Sequence, residues 1–381
     1  MCNVLIPGIF AGRLKIDEIS SPKFSTTTNV ETERLKLTIP YAGHSIQWIV
    51  IFDSRNPEIP PEFLIPDEDF ISTLDMPILE HSLPTLFNWH IDNPRGMLNL
   101  VQEYLVLYKN HQLKVLTNLE KQDRGGPTES RLNVSRQMLS LLEGRYISED
   151  DVEVLIGRYD HEPVHIMVRL AVDVSNLPMP ESCASSSRGG SPIDDRNDDV
   201  AALLVTYPLQ GRCTAQLFLS PKLDEVLGGN KNLQIPSFNK YDSLPSYVTS
   251  VKDLLTKKID LVANSCRNRR CYLETLLNHM GRAALEFDSV NFSKVSFLLE
   301  WNNFYFIVHV CLPANFPDEK PVYMFQSVYH SLNEKPYVAK CQDYPYSPRW
   351  DHEEMAERAK QFILEYIDTF QKNSVHCRQH Y

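Results

Sequence analysis

The chain has 381 residues, 43% hydrophobic and 23% charged, which supplies apolar material for more than one core and suits two or three domains. Lys and Arg number 38 against 49 Asp and Glu, a net charge of −11. That balance argues against direct binding to nucleic acid or an anionic membrane, because both need clustered positive charge.

In chain order, the N-terminal MCNVLIPGIFAGRLKID lacks a basic start followed by a long apolar core, so no secretory leader is expected. Roughly the first 25 residues are expected to be extended or flexible. Period-two alternation then marks two strands. RLKLTIP puts Leu35, Leu37 and Ile39 on one face, and SIQWIVIFD does the same with Ile46, Trp48, Val50 and Phe52. NPEIPPEFLI, residues 56–65, follows with three prolines. Proline fixes φ and has no N–H to donate, so this density predicts a rigid extended connection. Beyond Pro84 and Trp89, residues Met97, Val101, Tyr104 and Tyr108 share one face of a helix.

KQDRGGPTE, 121–129, reads as a linker. TESRLNVSRQMLSLLEG predicts a helix ending at Gly144. VEVLIG, VHIMVRLAVDV, VAALLVTYP and AQLFLSP read as strands, and PSYVTSVKDLLTKKIDLVANS as a long helix, which together make an α+β layer. Residues 180–199, rich in Ser, Gly, Pro and Asp, are expected to form a flexible loop. The second domain boundary falls near Asn264–Cys266, inside helical sequence.

The last third repeats the first. Pro57, Pro61 and Phe63 recur as Pro317, Pro321 and Tyr323, each 260 residues on. Pro84 and Trp89 match Pro345 and Trp350 at an offset of 261. KVSFLLEW and NFYFIVHVCL repeat the alternating strand pair, and Met355, Ala359, Phe362, Tyr366 and Phe370 repeat the helix face. The four tryptophans divide two and two, and are read as occupying corresponding elements. The chain is thus expected to be α+β, with related domains at 1–120 and 266–381 flanking a middle domain at 121–265.

Several signals are discounted. HEPVH, 161–165, matches a zinc-protease pattern that works only on a helix. Pro163 and the alternation after it predict a hairpin turn and strand instead. Cys266 and Cys271 have no second pair at zinc-site spacing, so no metal and no cofactor is expected. The short basic run RNRR, 267–270, reads as a helix face. The aromatic cluster Tyr344, Tyr346 and Trp350 reads as fold core, with partner binding as the alternative. The eight scattered cysteines, without a leader, suggest reduced thiols in cytoplasm or nucleus.

Strands, a Pro-x-x-x-Pro-x-aromatic passage, a Trp and a C-terminal helix resemble the ubiquitin-conjugating-enzyme fold. The resemblance implies ubiquitin-conjugating-variant domains at both ends, an RWD-like middle domain, and a proline passage leading off the meander toward the catalytic segment. Conjugation needs a thiolate nucleophile and a nearby Asn for the oxyanion. Residues 3–182 contain no cysteine, so the first copy cannot hold a thioester. In the second copy Cys341 follows Asn333 by eight residues, in HSLNEKPYVAKC, where active family members carry a His-Pro-Asn tripeptide. An active enzyme using Cys341 with Asn333 therefore stands as one alternative, and a free ubiquitin-binding adaptor as another. Across nearly the whole length, IPYAG, NPEIPPEF, FQSVYH, YPYSPRWD and EMAERAK resemble the BRE (brain and reproductive organ-expressed) family. That resemblance implies a non-catalytic scaffold of the BRISC deubiquitinase assembly and a related nuclear DNA-repair assembly. The implied partners are a JAMM-type zinc isopeptidase that cuts polyubiquitin linked through ubiquitin's lysine sixty-three, an Abraxas-type MPN⁻ scaffold and a von Willebrand-A-like subunit.

Overall fold

The alternating residues at 34–53 form a hairpin, Thr32–Tyr41 (β3) paired with His44–Asp53 (β4), in the computed structural model of the chain. The structure describes residues 3–4, 14–20, 32–53, 55–118, 129–144, 147–157, 162–178, 201–229, 233–239 and 242–376. Asn3–Val4 (β1), Leu14–Ser20 (β2) and Glu62–Leu64 (β5) complete an antiparallel sheet in the order β1-β2-β3-β4-β5. Three short helices follow: Glu68–Ser72 (α1), Met76–Ser82 (α2) and Pro84–Phe87 (α3). Asp67 and Asp75 cap the first two by accepting the backbone N–H groups of Phe70 and Ile78. Gly96–Thr117 (α4) then supplies Leu100, Val101, Tyr104 and Tyr108 to the core formed by Leu37, Ile39, Trp48 and Val50.

The middle of the chain runs Glu129–Glu143 (α5), Val152–Ile156 (β6), Val164–Leu170 (β7), Ala201–Tyr207 (β8), Thr214–Leu219 (β9) and Pro221–Val226 (α6). The four strands form an antiparallel sheet in sequence order. Nearly all of AALLVTY in β8 is buried, without alternation. Both faces are covered, which is what a continuous apolar run requires. Met167, Ala202 and Leu204 join the core of the first sheet, while Ile166, Val168, Leu203 and Val205 are buried on the opposite face. The β3–β4 turn is docked here. Tyr41 Oη donates to the Val154 carbonyl at 3.0 Å, and the Ala42 N–H to a Glu153 carboxylate oxygen at 2.8 Å.

Leu244–Met280 (α7) has 37 residues, longer than the helix predicted to end near 265. The strands after it are Ala284–Phe287 (β10), Lys294–Trp301 (β11), Phe304–Cys311 (β12), Val322–Leu332 (β13) and Lys335–Cys341 (β14). They form an antiparallel sheet in sequence order, and His352–His376 (α8) completes its core. The described residues fall into two compact units. The first contains the β1–β5 and β6–β9 sheets, and the second the β10–β14 sheet.

The repeat extends to register. Val50 pairs with Phe63 and Val310 with Tyr323, again 260 apart. The hairpin turns also correspond: Ala42 and Gly43 have φ of 46° and 75°, Asn302 and Asn303 of 50° and 64°. Two consecutive positive φ values give the turn whose twist matches paired strands. One expectation fails and another holds in part. Trp48 sits mid-strand on β4, but Trp301 ends β11 and corresponds to Tyr41, so those tryptophans do not match. The α8 row is shifted in part: Met355, Ala359 and Phe370 are buried as their spacing implies, but Ala356, Ile363 and Ile367 complete the buried line, with Phe362 and Tyr366 half-buried beside it.

Candidate functional site

Each proline passage joins two neighbouring antiparallel strands of one sheet, rather than leading off the meander toward a catalytic segment. The first links β4 to β5 and the second β12 to β13. Pro61 and Pro321, at equivalent positions, are both buried at the entry to the next strand, while Pro57 is exposed and Pro317 half-buried. With no N–H on the prolines, the carbonyls are what side chains can hold. In the first unit the Trp89 indole N–H donates to the Pro57 carbonyl at 3.2 Å. In the second, the equivalent Pro317 carbonyl accepts from Tyr346 Oη at 2.5 Å, and the Pro321 carbonyl from Tyr344 Oη at 2.6 Å. The Lys320 ammonium reaches the Gln342 carbonyl from the same passage. The same carbonyl is thus held in both copies by different donors.

Phe63 lies among Trp48 and Tyr104, its ring 4.6 Å from Tyr104 between centroids. Tyr323 is fully buried, shares a 2.8 Å hydroxyl–hydroxyl hydrogen bond with Tyr272, and meets Tyr344 edge-on at 4.9 Å. Burial pushes the phenols of Tyr272, Tyr323 and Tyr344 up, and that of Tyr346 up to about 12. All four therefore keep their protons near neutral pH, and Tyr344 and Tyr346 keep their donor role. Trp350 stands just before α8, under the Arg358 guanidinium at 5.1 Å. So the structure gathers Pro317, Pro321, Tyr323, Tyr344 and Tyr346 into one cluster with Trp350 at the adjoining helix start. In the first unit Trp89 holds Pro57, and Phe63 packs with Trp48 and Tyr104.

Cys341 closes β14 opposite Tyr323 and is 8% exposed. Burial raises its thiol pKa and the Asp343 carboxylate adds to the rise, against a lowering hydrogen bond with Tyr366. A reactive cysteine needs the opposite setting, electropositive and open. Asn333 sits in the β13–β14 turn with φ of 53°, at the other end of the strand. Eight residues at about 3.3 Å each put roughly 25 Å between them. The segment read against a His-Pro-Asn pattern is a β-hairpin, and the structure does not bring Asn333 to Cys341.

HEPVH resolves as expected in part. Val164–Leu170 is a strand directly after Pro163, and His161 lies outside the described residues. His165 packs its ring 3.9 Å from His44 between centroids, and burial, with His44 beside it, pulls its pKa down to about 4. Sequence reasoning missed the β13–β14 hairpin altogether. Its Val328, Tyr329, Leu332 and Val338 are exposed apolar side chains, which no period-two signal distinguishes from inward ones. Among the described residues no helix is long and apolar enough to cross a membrane.

Residues 4–331 match the sequence profile of the family described as brain and reproductive organ-expressed protein (BRE). A relative in Branchiostoma floridae, called BRISC and BRCA1-A complex member 2, is 37% identical over 379 residues, covering 97% of this chain and 91% of its own. A Danio rerio protein of the same name is 34% identical over 370 residues, covering 95% and 89%. The match runs from the first sheet through the second proline passage, and the two relatives cover nearly the whole chain: this chain belongs to the BRE family.

Proposed function

We propose that this chain is a non-catalytic scaffold subunit of a deubiquitinase assembly of the BRISC and BRCA1-A kind, the assemblies named for its relatives. One observation carries the non-catalytic part: Cys341 is buried with a raised thiol pKa, far along its strand from Asn333. The first copy supports it, having no cysteine between residues 3 and 182 to form a thioester. In this reading the two repeated sheets are ubiquitin-conjugating-variant domains and the middle sheet is RWD-like. The partners are a JAMM-type zinc isopeptidase, an Abraxas-type MPN⁻ scaffold and a von Willebrand-A-like subunit. The isopeptidase cuts chains linked through ubiquitin's lysine sixty-three, in cytoplasm and nucleus. Several modest faces on linked domains hold such partners by avidity.

Incubation with ubiquitin-activating enzyme, ATP and ubiquitin tests this on a non-reducing gel. Neither wild type nor Cys341→Ser should give a thiol-sensitive band while an active conjugating enzyme charges in parallel. A band lost in Cys341→Ser would make the chain an enzyme. From cell extract the chain should co-purify with the isopeptidase core at fixed stoichiometry, and elution alone would sink the scaffold reading.

A further inference from the structure

An edge strand offers unpaired N–H and C=O groups to any strand that comes alongside, and folded proteins blunt such edges. Among the described residues the three sheets have six edges, and five are blunted. β1 and β5 have only two and three residues. β10 has four and a register shift against β11. β14 carries Lys335, Pro336 and Lys340. On β6, side chains occupy the outward groups: Tyr41 Oη donates to the Val154 carbonyl at 3.0 Å, and the Ile156 N–H donates to Gln112 Oε1 at 3.1 Å. β9, Thr214–Leu219, has none of these devices. TAQLFL holds no charge and no proline, and it runs in unbroken register with β8. Among the described residues no strand lies on its other side.

The contacts on β6 fix which way each residue of β9 points. In an antiparallel ladder a residue directs both main-chain groups to one side, and its neighbours direct theirs to the other. Val154 points away from β7, so Ile166 opposite it bonds to Val205, and Ala215 opposite Val205 points outward. By the same alternation Leu217 and Leu219 point outward, while Thr214, Gln216 and Phe218 bond to β8. Among the described residues no backbone hydrogen bond from outside the sheet reaches the three outward residues. Their side chains share one face, where Leu217 is buried, and Thr214 and Gln216 on the other face are exposed. We propose that β9 takes up an extended segment of a partner protein as a fifth strand of this sheet. It lies antiparallel like the rest, with apolar β-branched residues beside Ala215, Leu217 and Leu219 and polar ones beside Thr214 and Gln216. A second copy of the chain is a poorer occupant. The edge is about 20 Å long, and two folded bodies meeting along it alone would bury far less than the roughly 1,200 Å² of a stable interface. A flexible segment held elsewhere gains instead from an effective concentration in the millimolar range. The proposal stands on the middle sheet alone and holds whichever assembly the chain joins.

Hydrogen exchange of the full chain, resolved at residues 214–219, tests this. The probe is a synthetic peptide of three Val-Thr repeats between lysine pairs. Its control is the same peptide N-methylated at each valine, which keeps the charge and loses the donors for this edge. In the chain alone the Ala215, Leu217 and Leu219 amides should exchange within about tenfold of unstructured rates, and those of Gln216 and Phe218 far more slowly. At about 1 mM the Val-Thr peptide should slow the first three roughly fivefold, and the N-methylated peptide should not. Ala215→Pro removes one outward N–H and leaves the ladder to β8, so it should abolish the slowing at Leu217 and Leu219. Protection of the three amides in the chain alone would show the edge already covered and overturn the proposal. So would no slowing, or equal slowing by both peptides, which the wild type decides even where the variant fails to fold. Slowing retained in a folded Ala215→Pro chain, checked by circular dichroism, overturns it as well.

Discussion

A thiol acts as a nucleophile only as its thiolate, so the surroundings of Cys341 decide its chemistry before any partner is considered. Burial raises its pKa above the ordinary 9.0. A thiol-reactive probe should therefore modify Cys341 slowly at pH 7 and faster as pH rises beyond 9, measured by mass spectrometry of the Cys341 peptide. The tyrosine cluster has a parallel consequence. Below pH 10 folded and unfolded chains both hold neutral phenols. Above the ordinary value of 10.0 the unfolded chain ionises, while Tyr346 waits until about 12 and Tyr272, Tyr323 and Tyr344 are also raised. Stability of the second unit is fully present below 10 and should fall as pH rises toward 12, read as a dropping melting temperature. Tyr344→Phe and Tyr346→Phe each remove one donor to a proline carbonyl and should cost about 1 kcal/mol by denaturant unfolding at neutral pH. None of these bonds was legible in the sequence. Tyr344 and Pro321 are 23 residues apart, and only the folded sheet brings them together.

Among the elements, the strands with one buried face were legible, because period two survives when water lies on one side. Leu37, Trp48, Val50, Phe297, Phe306 and Val308 all fall inward as their spacing implies. The proline passages were legible as breaks in the ladder, since a proline has no N–H to pair. Their shape was not legible: the Ile59 N–H returns to the Asn56 carbonyl and the Phe316 N–H to the Pro313 carbonyl, so both are turns rather than extended connections, and Glu62–Leu64 is already strand. The β13–β14 hairpin was not, because Ser327 is buried on the inner face while Val328 and Val338 are exposed, so hydropathy misreports the direction of each side chain. The row on α8 was misplaced in part by its aromatics: Phe362 and Tyr366 flank the line that Ile363 and Ile367 occupy. For the candidate site, the residues were legible but not their roles, since Asn333 and Cys341 are near in sequence and at opposite ends of a strand. Turns carry the sharpest element-level prediction. Gly43 has φ of 75°, and a Cβ there would lie 2.6 Å from Leu204 Cδ2. Gly43→Ala should cost about 2 kcal/mol or more, combining left-handed strain with displacement of a packed leucine. Asn303→Ala, in the corresponding turn, incurs only the strain, about 1 kcal/mol, and comparison of the two by urea unfolding checks the difference.

At the scale of the whole molecule, the core of the first sheet and that of the β10–β14 sheet share no residue. Phe297→Ala, in the second, should cost about 3–5 kcal/mol and lower one calorimetric transition while the other keeps its temperature. A single transition shifting as one would show that the two cores melt together. The net charge of −11 makes a separate prediction: the purified chain should not retard duplex DNA in a gel at physiological salt. The two corresponding hairpin turns also differ in what an engineer can do with them. Ala42 is fully buried and its N–H is committed to Glu153, so lengthening that turn would pull a sheet out of its seat. Asn302 and Asn303 face water. A short epitope or a fluorophore-bearing peptide spliced between them should leave both units intact, giving a handle for labelling the chain inside a larger assembly without touching either terminus.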